Sequence, residues 1–248
     1  MQLLSYPIVE LFQNIAKILF PPVCIICNNI THDIGGLCSE CWIKIDFHCN
    51  PSCAICSHPF EYDTGKAMLC GHCLTQKPLY KKSYIVFKYS EHSKNIIYKF
   101  KYSDQTYLSP YLAKWLFRAA KDILPSIDIL VPVPLHKLKL LTRLYNQSLL
   151  LAQELSLLCK VPTVPYILKR RYYKRSQTGL KYKERIHNIK NVLLVPEKYK
   201  AQIVGKKIML IDDVITTSAT INECTKLLLA AGASEVYVLA LAKTILNY

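Results

Sequence analysis

The sequence predicts an α/β fold: a mainly parallel sheet with helices on both faces, preceded by a small cysteine-rich module. Apolar runs of strand length alternate with stretches of helical spacing after about residue 80. Cysteine pairs separated by two residues are confined to the N-terminal third. The 248 residues are 51% hydrophobic, which is enough to build the core of one medium domain beside a small one.

The predicted elements alternate along the second part of the chain. Strands are expected at 83–89, 127–131, 164–168, 192–195, 207–211 and 236–242, and helices at 93–101, 108–124, 147–158 and 220–231. Gly232 follows the last helix, where a glycine commonly ends one. We divide the chain into an amphipathic helix (1–20), a cysteine-rich module (21–78) and an α/β domain (79–248).

The N-terminal segment 1–20 raises a targeting question because it is largely apolar. It lacks a basic start, contains Glu10 and Lys17, and precedes no small-residue cleavage site, so it does not fit a secretory signal. The charges also interrupt the run that a spanning helix needs. We expect an amphipathic helix that packs on a domain, with a membrane-surface role as the alternative. The expected location is cytoplasmic, without stable membrane insertion.

Eight of the eleven cysteines form four CxxC pairs. Two residues between thiolates allow a tight turn to present both sulfurs to one ion, and two turns complete the four-thiolate set that zinc prefers. The pairs are Cys24/Cys27, Cys38/Cys41, Cys53/Cys56 and Cys70/Cys73. Their order favours two structural Zn²⁺ sites built from consecutive pairs, with interleaved pairing as an alternative.

Other uses of these cysteines are weaker hypotheses. A reducing cytosol disfavours disulfides, and an iron–sulfur cluster or a redox CxxC is a further alternative. The thiolate count is complete without the nearby histidines, so we expect none of them to be a ligand, whereas Cys49 is a spare cysteine that could substitute for one of the eight.

The net charge of +15 favours polyanionic partners such as nucleic acid, nucleotides or anionic lipid. A general lysine bias of the proteome explains such a charge equally well. It explains less well the segment 169–190, in which nine basic residues accompany one acid, Glu184.

The segment 208–220 has the layout of a strand-to-helix phosphate site. An apolar run ends in Asp212 and Asp213, and four hydroxyl residues follow: Thr216, Thr217, Ser218 and Thr220. The free N–H groups and the dipole of a first helical turn favour an anion there. The carboxylates are unsuited to phosphate but suit the hydroxyls of a sugar that carries it. The segment therefore predicts a ribose-5-phosphate pocket.

This segment resembles the phosphoribosyl-diphosphate (PRPP) loop of type I phosphoribosyltransferases. Together with the cysteine module, it makes the chain similar to the ComF competence-protein family, a double zinc ribbon fused to a type I phosphoribosyltransferase-like domain. Further motifs of the resemblance are Pro21-Pro22-Val23-Cys24, Val131-Pro132-Val133-Pro134-Leu135-His136, Arg143-Leu144-Tyr145-Asn146-Gln147, Gln177-Thr178-Gly179-Leu180 and Arg185-Ile186-His187-Asn188.

The resemblance implies roles for individual residues. Asp212 and Asp213 would hold the ribose, and Lys139 and Arg143 would act with them as catalytic residues on the diphosphate. The 5-phosphate loop would comprise Val214, Ile215, Thr216, Thr217, Ser218, Ala219 and Thr220. The diphosphate site and the mobile lid would include His136, Lys137, Arg170 and Gln177. Mg²⁺ would accompany PRPP, held mainly by the substrate.

The chain departs from the family pattern at Ser218 and Leu144, where the family has glycine. Glycine permits positive φ and a close approach of backbone to phosphate more easily than serine does. Neither change removes a carboxylate, so we expect ligand binding to be better preserved than turnover, and we leave enzymatic activity open.

The function predicted is therefore a PRPP- or ribose-5-phosphate-binding protein with a part in DNA uptake. One alternative is a catalytically silent scaffold that binds single-stranded DNA and uptake proteins through the ribbon and the segment 169–190. The other is a metabolic phosphoribosyltransferase of unknown acceptor.

Overall fold

The computed structural model describes residues 21–31, 35–63, 65, 68–102, 105–135, 145–170 and 193–245. The predicted helix 1–20 lies outside these residues, as do His136, Lys137, Lys139, Arg143 and Gln177. The domain boundaries stay predictions. Among the described residues, no helix combines the length and the apolar content that crossing a bilayer requires.

A four-stranded parallel sheet forms the centre of the larger part of the chain. Its strands are β1 (Ser83–Lys88), β2 (Ile129–Pro132), β5 (Lys207–Ile215) and β6 (Glu235–Lys243), in the order β1-β6-β5-β2. Two short strands, β3 (Lys169–Arg170) and β4 (Leu193–Leu194), pair antiparallel in a separate sheet. The order places β5, the strand that carries the acid pair, in the interior of the sheet.

Helices cover both faces of this sheet. The cysteine-rich part contains α1 (Ser39–Ile43) and α2 (Gly71–Thr75), and the α/β part contains α3 (Lys94–Tyr102), α4 (Ser109–Ala120), α5 (Gln147–Cys159) and α6 (Ala219–Ala230).

The alternation of side chains along β5 explains why both faces are buried. Met209 and Ile211 belong to one apolar core with residues of α3, α4 and α5, whereas Ile208 and Leu210 belong to a second core with residues of α6. Successive strand residues point to opposite faces, so a continuous apolar run supplies both cores. The predicted fold class, with helices on both faces, is confirmed.

Two predicted strands differ from those observed. The prediction of a strand at 164–168 is wrong. The chain turns there, and just before it Thr163 forms an isolated bridge to Leu130 of β2. Pro165 lacks an N–H group to donate to a ladder, so the pairing beside β2 ends before it. The chain pairs again at Lys169, with β4 in the separate sheet, although Ile167 and Leu168 are buried. The strand expected at 207–211 continues to Ile215 because its pairing with β6 does, up to Ile215 opposite Lys243.

Candidate functional site

The acid pair lies near the carboxyl end of β5. Asp212 Oδ1 accepts hydrogen bonds from Ser148 Oγ at 3.1 Å and from the Asp213 N–H at 2.9 Å. Asp213 Oδ2 forms an ion pair with Lys101 Nζ at 2.9 Å, and the Asp213 residue is only 8% exposed. Each carboxylate therefore has a different partner, although the two residues are neighbours.

The surroundings favour the neutral form of one of these acids. Burial, followed by the charge of Asp213, raises the pKa of Asp212 to about 7, against the opposing effects of the Asp213 N–H, Lys101 and Ser148. Asp212 consequently titrates near neutral pH. A group that brings positive charge or hydrogen-bond donors to Asp212 would favour its ionised form.

A cavity of about 490 Å³ opens above the pair, and we call it the acid cavity. Its lining includes Lys101, Gln147, Ser148, Arg170, Asp212 and Asp213. Parallel strands commonly bind ligands beyond their carboxyl ends, and β2 and β5 both end at this cavity.

The amides at the start of α5 have separate roles. Asn146 Oδ1 accepts from the Ser148 N–H and caps the helix, while its Nδ2 donates to the Val133 carbonyl at 3.2 Å. Gln147 is 1% exposed, and its Oε1 has no hydrogen-bond partner among the described residues. A buried acceptor without a donor is costly, and the Gln147 residue that carries it lines the acid cavity.

The chain turns between β5 and α6 at Thr216, Thr217 and Ser218, which we call the phosphate turn. Ser218 has φ +57°, so the position does adopt the left-handed conformation that glycine adopts most easily. Ala219 and Thr220 begin α6. Of the seven residues predicted for the 5-phosphate loop, Val214 and Ile215 instead belong to β5, where Ile215 pairs with Lys243.

Arg170 reaches the acid cavity from β3. Its Nε donates to the Pro134 carbonyl at 3.1 Å, which ties it to the chain just beyond β2. Burial lowers the pKa of the guanidinium, and the nearby Cys224 and Asp212 side chains oppose that shift. A positive group is thus held beside the acid pair. The roles predicted for His136, Lys137, Lys139, Arg143 and Gln177 stay predictions because these residues lie outside the described part.

Sequence reasoning missed Lys101 and Ser148. Ser148 directly follows the motif that ends in Gln147, and this adjacency was a usable signal. Lys101 had no such signal, because its closeness to Asp213 depends on how α3 packs across the sheet.

The cysteines form two groups of four, and the pairing is consecutive rather than interleaved. One group is Cys24, Cys27, Cys38 and Cys41; the other is Cys53, Cys56, Cys70 and Cys73. In each group, all sulfurs lie within 4.8 Å of one another, and the Cys27–Cys38 and Cys56–Cys70 sulfurs are 3.5 Å apart. Four thiolates at about 2.3 Å from a tetrahedral zinc ion would be roughly 3.8 Å apart. Both groups therefore fit a structural zinc ion.

We call these groups the first and second zinc units. Cys49 is exposed and belongs to neither. The second unit is fastened to the sheet: Ser57 Oγ donates to the Ser83 carbonyl at 2.5 Å, and Lys243 Nζ donates to the Cys56 carbonyl. It therefore contacts the start of β1 and the end of β6.

Comparison with known proteins agrees with both parts of this architecture. Residues 15–74 match the family model of the double zinc ribbon domain, and residues 144–245 match that of the phosphoribosyl transferase domain. Among solved structures, a glutamine PRPP amidotransferase from B. subtilis is 20% identical, covering 62% of this chain and 33% of that one, with a TM-score of 0.40.

Curated relatives match most of the chain. The DNA utilization protein YhgH of Escherichia coli is 27% identical, over 86% of this chain and 99% of that protein. Competence protein F of Haemophilus influenzae is 35% identical over 226 residues, which cover 89% of this chain and 96% of that protein. With its double zinc ribbon and its phosphoribosyl transferase domain, the chain belongs to the ComF competence-protein family.

Proposed function

We propose that this protein binds a ligand containing ribose 5-phosphate, of the PRPP kind, in the acid cavity and at the phosphate turn. The observation that carries the proposal is the continuity of the two: the acid pair and the turn are separated only by Val214 and Ile215 at the carboxyl end of one buried strand. A sugar and its phosphate are likewise covalent neighbours.

The acid pair supplies acceptors for ribose hydroxyls. Asp212 and Asp213 both line the acid cavity, and Lys101 offsets part of their negative charge. Ribose hydroxyls that donate to these carboxylates would replace water and would favour ionised Asp212.

The phosphate turn supplies donors for the 5-phosphate. The first N–H groups of α6 have no carbonyl partner within the helix, and the helix dipole favours an anion at that end. Thr216 and Thr217 are exposed and carry hydroxyls, so they are accessible to a bound phosphate. Phosphate binding at such a site needs no other charged group.

The diphosphate of PRPP requires positive charge, and Arg170 provides it at the edge of the acid cavity. Lys137, Lys139 and Arg143, with His136 and Gln177, complete the proposed diphosphate site and lid. Mg²⁺ would enter with PRPP, held mainly by the substrate. If turnover occurs, an acceptor attacks ribose C1 as diphosphate leaves, and these cationic groups stabilise the departing charge.

The proposed biological role is a part in DNA uptake. The proposed location of the protein is the cytoplasm. Support comes from the names of the relatives, Competence protein F and DNA utilization protein YhgH. Single-stranded DNA and uptake proteins are the proposed partners, consistent with a net charge of +15.

Calorimetric titration of PRPP with Mg²⁺ into the zinc-loaded protein tests the ligand. We expect micromolar binding, which the variant Asp212→Asn/Asp213→Asn loses while it keeps two zinc ions and stays folded. Asp128→Asn is the matched control. Asp128 lies just before β2, at the amino ends of the strands and away from the acid pair, and it pairs with Lys206. Equal affinity in all three proteins, or no binding to any, would refute the proposed ligand.

A further inference from the structure

A second cavity adjoins the phosphate turn. Its volume is about 1010 Å³, and its two sides are the second zinc unit and the carboxyl edge of the sheet. We call it the ribbon cavity. Its lining includes Phe60, His72, Lys88, Thr217, Ser218 and Lys243.

The register of the sheet explains why cationic groups meet the turn here. Lys88 ends β1, Lys243 ends β6 and Ile215 ends β5, and Lys243 pairs with both of the others. All three strands are parallel, so their carboxyl ends share one edge. The two lysines are therefore presented beside the turn that follows Ile215.

The two cavities meet at the phosphate turn. Thr216 and Thr244 line both of them, and Thr244 is tied to β5 by its N–H, which donates to the Ile215 carbonyl at 2.9 Å. A phosphate at the turn would thus have the acid cavity on one side and the ribbon cavity on the other.

The chemistry of the ribbon cavity suits a further phosphate-bearing group. Lys88, Lys243 and Thr217 line it, and among the described residues of the lining Glu61 is the one that carries a carboxylate.

The size of the ribbon cavity also favours a ligand with a further phosphate-bearing group. Sites for small molecules commonly measure about 300–1,000 Å³, so this cavity has room for a whole nucleotide. A phosphate monoester would end at the turn and leave that space to water.

We infer that the ligand continues through its phosphate into the ribbon cavity: the site takes a ribose 5-phosphate whose phosphate carries a second nucleotide unit. The inference rests on the proposed function and narrows its ligand class. The link is either a diphosphate or a phosphodiester, and both present the same ribose 5-phosphate to the acid cavity. The second zinc unit is then one wall of the ligand site.

Matched ligand pairs test this inference by calorimetry with the zinc-loaded protein. ADP-ribose extends ribose 5-phosphate through a diphosphate, and the dinucleotide adenylyl-(3′→5′)-adenosine extends AMP through a phosphodiester. In at least one pair, we expect the extended ligand to bind about tenfold tighter, a difference of roughly 1.4 kcal/mol. The pair that shows the gain identifies the link.

Variants test whether the gain in affinity of the extended ligand arises in the ribbon cavity. Lys88→Glu should abolish the gain, because it should lower the affinity for the extended ligand by more than it lowers the affinity for ribose 5-phosphate. Lys226→Glu, at an exposed position of α6 that lines neither cavity, should preserve it. Phe60→Leu is a second variant that keeps apolar volume, and it should reduce the gain while two zinc ions remain bound.

The outcomes separate this inference from the proposed function. If ribose 5-phosphate binds and neither extension adds affinity, or if Lys88→Glu and Phe60→Leu leave the gain intact, the inference is wrong and the proposed function stands. If neither ribose 5-phosphate nor any extended ligand binds, both are wrong.

Discussion

The two zinc units have the same cysteine motif but different surroundings. In the first unit Cys27 is exposed, Ile25 enters the core shared with α3 and α4, and Lys99 Nζ of α3 donates to Asn28 Oδ1 at 2.9 Å. In the second unit all four cysteines are buried, and Ser57 and Lys243 bond it to the sheet beside the phosphate turn.

The comparison teaches that the motif specifies the metal and the tertiary contacts specify what each unit does. The first unit packs on helices, and among the described residues it lines neither the acid cavity nor the ribbon cavity. Cys56 and Cys70 of the second unit line the ribbon cavity. We therefore expect equal effects of the two units on zinc content but unequal effects on ligand binding.

The largest expected effect comes from removing one zinc ligand in each unit. Cys41 and Cys73 occupy equivalent positions, each the third residue of a five-residue helix. Cys41→Ser and Cys73→Ser should each lower zinc content from two ions to one and destabilise the chain, since structural zinc contributes on the order of 10 kcal/mol in zinc-finger peptides.

Only Cys73→Ser should also weaken ribose 5-phosphate binding, by about tenfold or more. Elemental analysis gives the zinc content, and calorimetry gives the affinity. Equal losses of affinity in the two variants would show that the units do not differ in the way we describe.

A smaller effect is expected from the lysines that tie each unit to its neighbour. Lys243→Met removes the hydrogen bond to the Cys56 carbonyl, and Lys99→Met removes the bond to Asn28. Each variant should lower the free energy of unfolding by about 1–3 kcal/mol, the usual loss for bonds to charged groups. Urea unfolding measures this loss. Ligand affinity should fall with Lys243→Met alone, and a parallel fall with Lys99→Met would contradict the comparison.

Tyr80 offers a finer test of the link between the second unit and the turn. It is 3% exposed and lines the ribbon cavity together with Ser218; burial raises the pKa of the Tyr80 hydroxyl, and the nearby Ser218 side chain opposes that rise. Tyr80→Phe should cost about 1 kcal/mol of stability and reduce ribose 5-phosphate affinity severalfold. Tyr98→Phe, at an exposed position of α3, is the control. Calorimetry measures the ribose 5-phosphate affinity of both variants. An unchanged affinity in Tyr80→Phe would show that Tyr80 does not contribute to ligand binding.

The smallest effect concerns pH and the acid pair. Because the pKa of Asp212 is raised to about 7, the folded protein binds more protons than the unfolded chain between about pH 4 and 7. The contribution of Asp212 to the free energy of unfolding without ligand should therefore fall as pH rises through this range, and the loss of this contribution should be complete above about pH 8.

Thermal unfolding from pH 6 to 8, where the thiolates still hold zinc, measures this slope. Asp212→Asn should remove the part of the slope that Asp212 contributes. Asp128→Asn should leave the slope unchanged, because the Lys207 N–H lowers the pKa of Asp128 and this group stays ionised throughout the range. The same slope in wild type and Asp212→Asn would mean that Asp212 is not the group that titrates.

Local patterns made much of this predictable from the sequence. The CxxC pairs identified both zinc units, and the run from Ile208 to Thr220 identified the strand, the turn and the helix of the candidate site. The family glycine at position 218 also pointed to a left-handed backbone, which Ser218 adopts.

The missed features depend on contacts between distant segments. Lys101 meets Asp213 only because α3 packs across the sheet, and Lys243 meets Cys56 only because β6 ends beside the second zinc unit. The strand wrongly predicted at 164–168 has a local cause instead. Its apolar residues indicated a strand, whereas Pro165, which cannot donate to a ladder, indicated a break.

A crystal structure of the zinc-loaded protein with ribose 5-phosphate tests the central claim most directly. The account predicts the phosphate within hydrogen-bond distance of the backbone N–H groups that follow Thr217, with the ribose hydroxyls on Asp212 and Asp213. One side of the phosphate should also face the ribbon cavity, where Lys88 and Lys243 lie. A ligand bound elsewhere, or a phosphate at the turn with the ribose directed away from the acid pair, would contradict it.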